Sequence, residues 1–459
     1  MTAAFLPSVL TKKRHQLTRC EGMAVGQATP SRPSSASLRW NSTTLIFAAA
    51  LLIRLVASTL LYPIQLDPRH DHWEFGWETG RIAHSISAGK GFSSPVYGSE
   101  GPTACMAPVY PYLLAGVFRV FGDFTKSSAL AILCLNSIFS AFTCFPVFHI
   151  ARRVLGGWTA IWGAWAWAVY PFAIYFASVR VWDTCLTTLL LSLALWLTLV
   201  LEDGATLMRW AAYGGLWAVT ALTSPVTLSV LPAFAAYLFF RAGRQGAVAH
   251  LKRATVSGLV FLVLVTPWFV RNFRTFHHFV PFRDNLGLEL RMGNNGDTSD
   301  VYIDWAHPAH NPAELHELVT LGEIAYFQKK KAQALDFIRK YPGFFLWVTA
   351  RRFVFLWTGF WSLRRDFLAN EPFEIPNVLF STPMAILMLI GMRQAWRAAG
   401  AATLPLLFCI GLVPGIYYLT HVDLHYRHPV DPEIVIFVVY ALLNICVRRK
   451  ETSLVPQPA

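Results

Sequence analysis

Long apolar stretches recur along almost the whole chain, and they limit the possible folds more than any other feature. About ten such stretches follow residue 42, each close to the roughly 20 residues that an α-helix needs to cross a bilayer. The sequence therefore predicts an all-α, polytopic membrane helix bundle of about ten spans. The predicted spans are residues 43–62, 128–150, 158–177, 184–201, 208–223, 225–240, 254–272, 377–392, 402–420 and 432–447.

Charged side chains are too few to cover the surface of a soluble protein of this length. They make up 14% of the 459 residues, whereas 54% of the residues are hydrophobic and the mean hydropathy is +0.42. An ordinary soluble domain carries roughly 25% charged residues. The formal net charge is nevertheless +13. A nucleic-acid partner would explain the basic charge but not the apolar excess, so we expect none; basic cytoplasmic loops of a membrane protein explain both.

The distribution of basic residues predicts the orientation of the chain in the membrane. Residues 1–42 are polar, basic and Ser/Pro-rich, and we expect a disordered cytoplasmic tail there. Both termini are then cytoplasmic, and two long loops, residues 63–127 and 273–376, lie outside. This arrangement places most Lys and Arg residues of the short loops inside, as the positive-inside rule requires. These residues are Arg152, Arg153, Arg209, Arg241, Arg244, Lys252, Arg253, Arg393, Arg397, Arg448, Arg449 and Lys450.

Each long loop contains one apolar segment that we interpret as a helix lying in the membrane interface. Residues 107–122 are short for a span, and counting them as one would move the next basic loop outside. Residues 341–361 carry Arg351 and Arg352 near their middle, where two charges at mid-bilayer are very costly. A channel or carrier usually keeps its loops short, so two long loops on one side indicate recognition or catalysis there.

Acidic residues are scarce in this chain, yet four of them, Asp67, Asp71, Glu74 and Glu78, occur close together in the first long loop. On a helix, Asp71, Glu74 and Glu78 would share one face, where like charges repel, so packing does not explain the grouping. A general base near a membrane surface requires such a carboxylate. We interpret these three as candidate catalytic residues, with Glu78 slightly ahead; the alternative is a solvated loop without a chemical role.

Asp183 lies in a short loop between two spans, on the same outer side as the acidic cluster. A carboxylate at the mouth of a membrane bundle is costly unless it is paired or functional. Pairing with the nearby Arg180 is one interpretation. A second active-site carboxylate is the other.

Arg271, Arg274 and Arg283 follow the seventh span on the outer side, against the positive-inside trend. Arginine binds phosphate through paired hydrogen bonds, so these residues are candidate ligands of an anionic phosphate. Snorkelling of their side chains into the interface is the alternative. Asn294 and Asn295 lie in a predicted tight turn and are candidates to hydrogen-bond a sugar.

The last outer loop is rich in histidine and aspartate. Histidine and aspartate side chains are able to bind a metal, but their spacing here matches no strong zinc motif. An arginine aimed at a phosphate, Arg427 held by Asp423, is equally consistent. We therefore assign no metal ligand and no certain cofactor, and a divalent metal ion stays possible. The cluster comprises His421, Asp423, His425, Arg427, His428, Asp431 and Glu433.

Six short segments form an ordered series that samples residues 45–440, nearly the whole chain. They are FGWETGRIAHSISAGKGF, APVYPYLLAGVF, VRVWDTCL, ALTSPVTLSVLP, TPWFVRNFR and DLHYRHPVDP. In this order they resemble the GT-C class of integral-membrane glycosyltransferases. The resemblance is greatest to bacterial members of the dolichyl-phosphate-mannose–protein mannosyltransferase and aminoarabinose transferase superfamily.

The resemblance implies a polyprenyl-phosphate-linked sugar donor, a first-loop carboxylate as general base, and an active site outside the bacterial inner membrane. The family's carboxylate position falls on Phe75, with Glu74 and Glu78 on either side, so the identity of the base stays open. Asp183 matches the place of a second acidic residue. Thr103 to Met106 stand where the family often has a phosphate-binding lysine, so an arginine must take that part. The candidates are Arg81, Arg180, Arg271, Arg274, Arg283 and Arg427.

The resemblance also divides the chain into four regions. Residues 1–42 form the tail, and residues 43–272 form a GT-C-like transmembrane module that includes the first outer loop, 63–127. Residues 273–376 form an extracytoplasmic loop with an interfacial helix. Residues 377–459 contain the C-terminal transmembrane helices and a cytoplasmic tail.

These expectations combine into one mechanism. A first-loop carboxylate deprotonates an acceptor hydroxyl, which attacks the anomeric carbon from the face opposite the lipid phosphate and inverts it, while arginines stabilise the departing phosphate. The acceptor is a lipid, a glycan or a protein. The alternative function is a multi-span transporter or lipid flippase, which would carry charged residues at mid-membrane; Arg54 is the one clear mid-span charge in this sequence.

Overall fold

Helices account for nearly all secondary structure in the computed structural model, which describes residues 42–65, 75–203, 206–298, 304–370 and 373–453. Within these ranges the only β pairing is one isolated antiparallel bridge between Ser93 and Pro102. The predicted all-α fold is therefore confirmed. The predicted N-terminal tail lies almost wholly outside the described residues.

The helices are labelled α1 to α20 in chain order. Those of the first half are α1 (Thr43–Gln65), α2 (Glu78–Ser87), α3 (Val109–Phe121), α4 (Lys126–Phe142), α5 (Cys144–Leu155), α6 (Gly157–Ala168), α7 (Pro171–Ser178), α8 (Thr184–Leu201), α9 (Leu207–Thr223) and α10 (Leu231–Phe276). Those of the second half are α11 (Leu286–Gly293), α12 (Pro312–Leu321), α13 (Glu323–Lys340), α14 (Pro342–Thr358), α15 (Arg365–Asn370), α16 (Glu374–Ala399), α17 (Leu404–Leu412), α18 (Gly415–Leu419), α19 (Leu424–Arg427) and α20 (Asp431–Ser453).

In the described part of the chain, seven helical segments are long and apolar enough to cross a membrane, or eight if the bent pair α6–α7 is one span. All ten predicted spans are helical. The smaller number arises because α9 has only 17 residues and because Glu374–Leu419 counts as one continuous segment. The protein is thus an integral, multi-pass membrane protein. The helices α3 and α14 cover the two predicted interfacial segments, and their position relative to a bilayer stays a prediction.

Close crossings at small residues bring the helices of the bundle together. At Gly391, α16 packs directly on α20, and an added Cβ atom would lie 2.0 Å from the carbonyl oxygen of Phe437. Without a hydrophobic driving force between helices in lipid, such close backbone contact is what holds them together. A side chain at Gly391 would therefore separate α16 from α20.

Arg54, the mid-span charge of α1, has a structural role at the break between α6 and α7. The two helices are bent by 42° there, so the last carbonyl groups of α6 lack partners within the helix. The guanidinium of Arg54 donates to the carbonyl oxygens of Trp167 (3.1 Å) and Ala168 (2.9 Å), and to the hydroxyl of Ser140 (2.8 Å). The charge is fully buried and its contacts are all within the protein.

We expect Arg54→Leu to lower the free energy of unfolding by about 2–5 kcal/mol, because it leaves buried carbonyl groups without donors. Thermal unfolding of the purified protein in detergent measures this effect. Arg152→Leu removes an exposed arginine from α5 and is the matched control, expected to change the midpoint little. Equal midpoints for the two variants would contradict the capping role.

Charged groups lie at both ends of α8. They distinguish the end of the bundle that carries the long loops from the opposite end. After the end of α8, Asp203 pairs with Arg153 (2.7 Å) and Glu202 with Arg241 (2.5 Å). Arg153 and Arg241 were both predicted to lie on the cytoplasmic side, and both lie at the same end of the helix bundle. Asp183 precedes the start of α8, so it lies at the opposite end, where the long loops meet.

Candidate active site

A tight turn at Phe75–Trp77 brings the start of α2 to the loop that carries Asp183. Gly76 has a φ of +76°, and a Cβ atom there would lie 2.2 Å from the carbonyl oxygen of Val181, so only glycine fits. Phe75 is fully buried and packs on Phe124, with ring centroids 5.3 Å apart. The position where the family carries an acid is therefore part of the hydrophobic core in this chain.

Glu78, the first residue of α2, is held by a histidine from the second long loop. Its Oε1 lies 3.0 Å from Nε2 of His307. The backbone N–H of Ala309 donates to Nδ1 of the same imidazole (3.1 Å), which assigns the proton to Nε2 and makes His307 the donor to Glu78. Burial raises the pKa of Glu78, but the contact with His307, a backbone hydrogen bond and, least of all, the charge of Arg283 outweigh this and hold the pKa below its ordinary value. Glu78 is thus a carboxylate at neutral pH.

Arg283 lies among three carboxylates and forms the centre of the site. Its Nη2 is 3.3 Å from Oε1 of Glu289, and its Nε donates to Oδ1 of Asn285 (2.6 Å). Its charge also acts on Glu78 and on Asp183. We call Glu78, Asp183, Arg283 and Glu289 the carboxylate–arginine cluster. It joins the first long loop, the loop before α8 and the second long loop.

Asp183 contributes a carboxyl group whose pKa is shifted towards neutrality. Burial raises its pKa to about 6, and the charges of Arg283 and His425 limit the rise. A carboxyl group with a pKa close to the working pH is well placed to exchange a proton. Arg180, its predicted partner, is acted on by Asp423, whose charge raises the pKa of the arginine against the effect of burial, and its pairing with Asp183 stays a prediction.

The last outer loop closes the site from the opposite side. His425 Nδ1 lies 2.9 Å from Asp423; burial raises the pKa of Asp423, but His425 and Arg180 lower it well below its usual range. His421 Nδ1 lies 3.3 Å from Oε2 of Glu289, and its Nε2 is 2.8 Å from the hydroxyl of Tyr426. The predicted His/Asp cluster therefore contacts the carboxylate–arginine cluster through Glu289.

Two predicted phosphate ligands make structural contacts elsewhere. Arg271 donates to the carbonyl oxygens of Thr103 (2.6 Å) and Phe92 (2.8 Å), which ties α10 to the first long loop. Arg427 is buried and pairs with Asp431 (3.0 Å) at the start of α20, rather than with Asp423. Phosphate binding by either arginine stays a prediction.

The remaining predicted residues lie in different settings. Arg81 lies over the ring of Tyr97, 3.0 Å from its centroid, and within the described residues its buried Nε and Nη1 have no hydrogen-bond partner. Arg274 is exposed. The buried amide of Asn294 donates to the carbonyl oxygen of Leu419 in α18, and that of Asn295 donates to the carbonyl oxygen of Arg291 in the preceding helical turn. The other two candidate bases, Asp71 and Glu74, lie outside the described residues.

Sequence reasoning missed His307, Glu289 and Asn285. They lie in the second long loop, far along the chain from Glu78, and no motif marks them. Across the ranges that the structure describes, no three His, Cys, Asp or Glu side chains are grouped so as to hold a metal ion. The carboxylates of the described site are able to transfer a proton, and Arg283 beside them is a cation able to bind a phosphate.

Comparisons with known proteins agree with this fold. Residues 105–270 match the family model described as dolichyl-phosphate-mannose-protein mannosyltransferase. The structure is similar to the archaeal oligosaccharyltransferase AglB from Archaeoglobus fulgidus in complex with an inhibitory peptide and a dolichol-phosphate. The TM-score is 0.56 and the sequence identity is 14%, and the alignment covers 93% of this chain and 53% of that chain. The apo form of the Archaeoglobus fulgidus oligosaccharyltransferase gives a TM-score of 0.55, 14% identity and the same coverage.

A third structure, ArnT from Cupriavidus metallidurans bound to undecaprenyl phosphate, aligns with 90% of this chain and 79% of that chain at 14% identity. Its TM-score is 0.39. No curated protein sequence matches the chain. The chain spans about half the length of the AglB structures. Its fold is similar to that of AglB, a GT-C membrane glycosyltransferase, and the predicted resemblance to the mannosyltransferase family is confirmed over residues 105–270.

Proposed function

We propose that the protein is a membrane glycosyltransferase that moves a sugar from a polyprenyl-phosphate donor to an acceptor on the extracytoplasmic face. The observation that carries the proposal is the carboxylate–arginine cluster, in which Glu78 is ionised, fixed by His307 and faced by Arg283. The match to a mannosyltransferase family model and the complex of AglB with a dolichol-phosphate support a lipid-linked donor.

Glu78 acts as the general base in this proposal. His307 occupies Oε1 of the carboxylate, so the other oxygen, Oε2, is the one that accepts the proton of the acceptor hydroxyl. The acceptor oxygen then bonds to the anomeric carbon as the bond from that carbon to the phosphate oxygen breaks. Attack from the face opposite the phosphate inverts the anomeric centre, and the lipid phosphate leaves with the bonding electrons.

Two arginines are placed to stabilise the charge of the departing phosphate. Arg283 belongs to the cluster itself. Arg81 follows Glu78 by three positions on α2, so both residues lie on one side of that helix. Its buried Nε and Nη1 have no described hydrogen-bond partner, and an anion would supply one. Charge stabilisation of this kind is worth several kcal/mol in a site that excludes water.

We place the protein in a bacterial inner membrane, as the family resemblance implies, with the site outside, as the charge distribution favours. Arg153 and Arg241, at the end of the bundle opposite the site, belong to the loops that the positive-inside rule assigns to the cytoplasm. Asp183 and both long loops then face outwards.

Transfer of radiolabelled sugar in proteoliposomes tests the proposal. Undecaprenyl-phosphate-linked mannose, galactose and aminoarabinose serve as donors, with membrane glycan and lipid extracts as acceptors. We expect transfer with at least one lipid-linked donor and none with nucleotide sugars. The same vesicles with fluorescent undecaprenyl phosphate measure transbilayer movement. Rapid transbilayer movement of the fluorescent lipid without sugar transfer would contradict the proposal and support the flippase alternative.

A further inference from the structure

A cavity of about 220 Å³ lies between helix α14, the segment that follows it and the turn after α11. Its lining includes Thr298 from the turn, Trp347 and Arg351 from α14, and Ser362 and Arg364 from the following segment. None of the described residues that line it belongs to the carboxylate–arginine cluster. The cavity is therefore a second candidate binding site, separate from the proposed catalytic one.

Hydrogen bonds to the backbone fix the wall of the cavity that follows α14. The buried carboxyl group of Glu374 accepts from the backbone N–H groups of Trp361 (2.5 Å) and Ser362 (3.1 Å). Arg351 donates from Nη2 to the carbonyl oxygen of Trp361 (2.8 Å). The hydroxyl oxygen of Ser362 accepts from the backbone N–H of Arg364 (3.2 Å). Both walls of the cavity therefore have defined positions relative to each other.

The two adjacent arginines of α14 have different environments. Arg352 is fully buried and donates to the carbonyl oxygen of Gly293, so it joins α14 to the end of α11. Arg351 lies between two indole rings, with its guanidinium carbon 4.8 Å from the ring centroid of Trp347 and 4.1 Å from that of Trp361. Stacking on aromatic rings fixes the orientation of a guanidinium group. Arg351 is thus an oriented cation in the wall of the cavity.

The charge of the cavity favours an anionic ligand. Arg351 and Arg364 line it, and none of the described lining residues is acidic. Asp366, which is not among these lining residues, pairs with Arg364 and balances part of its charge. Arginine binds phosphate oxygens through paired hydrogen bonds, and two arginines on neighbouring walls are able to contact one phosphate group.

Exposed apolar side chains accompany the arginines on both walls. They are Leu346 and Trp347 on α14, and Phe360 and Leu363 on the segment that follows it. A small water-soluble anion would contact the arginines and leave these side chains uncovered. A ligand with an anionic head and apolar chains would contact both. Helix α14 is also one of the two segments predicted to lie in the membrane interface, where such ligands are abundant.

We propose that this cavity binds the phosphate headgroup of an anionic phospholipid, with Arg351 and Arg364 on the phosphate and the acyl chains along the exposed apolar side chains of α14. Helix α11, which leads into the lining turn, carries Glu289 of the carboxylate–arginine cluster. The lipid therefore binds in the leaflet on the side of that cluster. The inference does not depend on the proposed glycosyltransferase activity, because the cavity and the cluster share no described residue.

Photocrosslinking locates the bound lipid directly. The full-length protein is placed in phosphatidylcholine nanodiscs with a probe lipid that carries a diazirine in its acyl chain and either a phosphatidylglycerol or a phosphatidylcholine headgroup. Mass spectrometry quantifies labelling of residues 342–367, divided by labelling of α1, a helix with exposed apolar side chains outside the cavity. We expect this ratio to be about tenfold higher for the phosphatidylglycerol probe, since each arginine near a membrane favours an anionic lipid about fivefold.

Unlabelled competitors distinguish the possible sources of the phosphate. Excess phosphatidylglycerol is expected to abolish the preferential labelling, whereas glycerol phosphate at the same concentration is expected to leave it. Equal competition by glycerol phosphate would overturn the proposal in favour of a soluble anion. Stronger competition by undecaprenyl phosphate than by phosphatidylglycerol would overturn it in favour of a polyprenyl phosphate.

Variants show whether the arginines of the cavity select the headgroup. Arg364→Gln removes an exposed side chain, so it is expected to fold normally and to lower the headgroup preference about fivefold. Arg351→Gln tests the other wall, with the same expected loss. Arg365→Gln removes the neighbouring exposed arginine, which does not line the cavity, and is expected to keep the preference. Equal labelling by the two wild-type probes would overturn the proposal. A preference retained in both Arg364→Gln and Arg351→Gln, or lost equally in Arg365→Gln, would overturn it too.

Discussion

Glu78→Gln is expected to lower the turnover of sugar transfer about 10²- to 10⁴-fold, the range typical for loss of a general base. Glutamine keeps the size of the side chain, and its carbonyl oxygen still accepts the hydrogen bond from His307. It cannot take a proton from the acceptor hydroxyl. The loss is therefore expected in kcat, with KM for the lipid-linked donor nearly unchanged.

Comparison with other acids of the first long loop makes this result specific. Glu100→Gln removes an exposed acid of the same loop and is expected to leave turnover unchanged. Glu74→Gln and Asp71→Asn test the other two candidate bases. Full activity of Glu78→Gln together with inactive Glu74→Gln would assign the base to the neighbouring acid. Retention of activity in all three variants would show that none of these three carboxylates of the first long loop is the general base.

His307 provides a separate check on Glu78. We expect His307→Phe to raise the pKa of Glu78, because it removes the hydrogen bond that opposes the effect of burial. Transfer by His307→Phe should then fall at mildly acidic pH while it is largely kept at alkaline pH. His307→Gln retains a side-chain donor and should restore activity in the acidic range. A uniform loss across the pH range in both variants would indicate a purely structural role.

Much of the fold was predictable because a long apolar stretch that crosses a membrane must satisfy its own backbone hydrogen bonds, and an α-helix does so. All ten predicted spans are helical, and the ion pairs of Arg153 and Arg241 lie at one end of the bundle, as the charge pattern required. The break between α6 and α7 was not predicted. It depends on Arg54 reaching the carbonyl groups of Trp167 and Ala168, a contact between segments that no local pattern records.

The candidate site was predictable only where a residue type is rare in its surroundings. Glu78 was noticed because acidic residues are scarce in this chain yet occur close together in the first long loop, and Asp183 because a carboxylate is costly at the mouth of a membrane bundle. His307 has no such signal, since histidine occurs in many of the loops and its contact with Glu78 spans the two long loops. Arginines on the outer side were equally noticeable, but charge alone does not distinguish a phosphate ligand from a donor to backbone carbonyl groups. Arg271 has the second set of partners.

Removal of the Arg283 charge is expected to have the second largest effect on transfer. We expect Arg283→Gln to lower kcat about 10²- to 10³-fold, because the charge that develops on the lipid phosphate loses its facing cation. Arg283→Lys keeps the charge but loses the planar arrangement of donors, so an intermediate rate is expected. Arg274→Gln removes an exposed arginine just before the second long loop and should leave the rate unchanged.

The pH profile shows whether Arg283 acts at the cluster or only on the stability of the fold. Burial raises the pKa of Asp183 to about 6, and Arg283 limits that rise by favouring the ionised form. An acidic limb with a midpoint near pH 6 is therefore expected in the wild type, with activity lost as Asp183 is protonated. Without the cation, this pKa rises further, so the limb of Arg283→Gln moves to higher pH. Asp183→Asn removes the titrating group, and the limb near pH 6 should vanish from whatever activity remains. A limb that stays in place in both variants would show that Asp183 and Arg283 do not act together on the reacting groups.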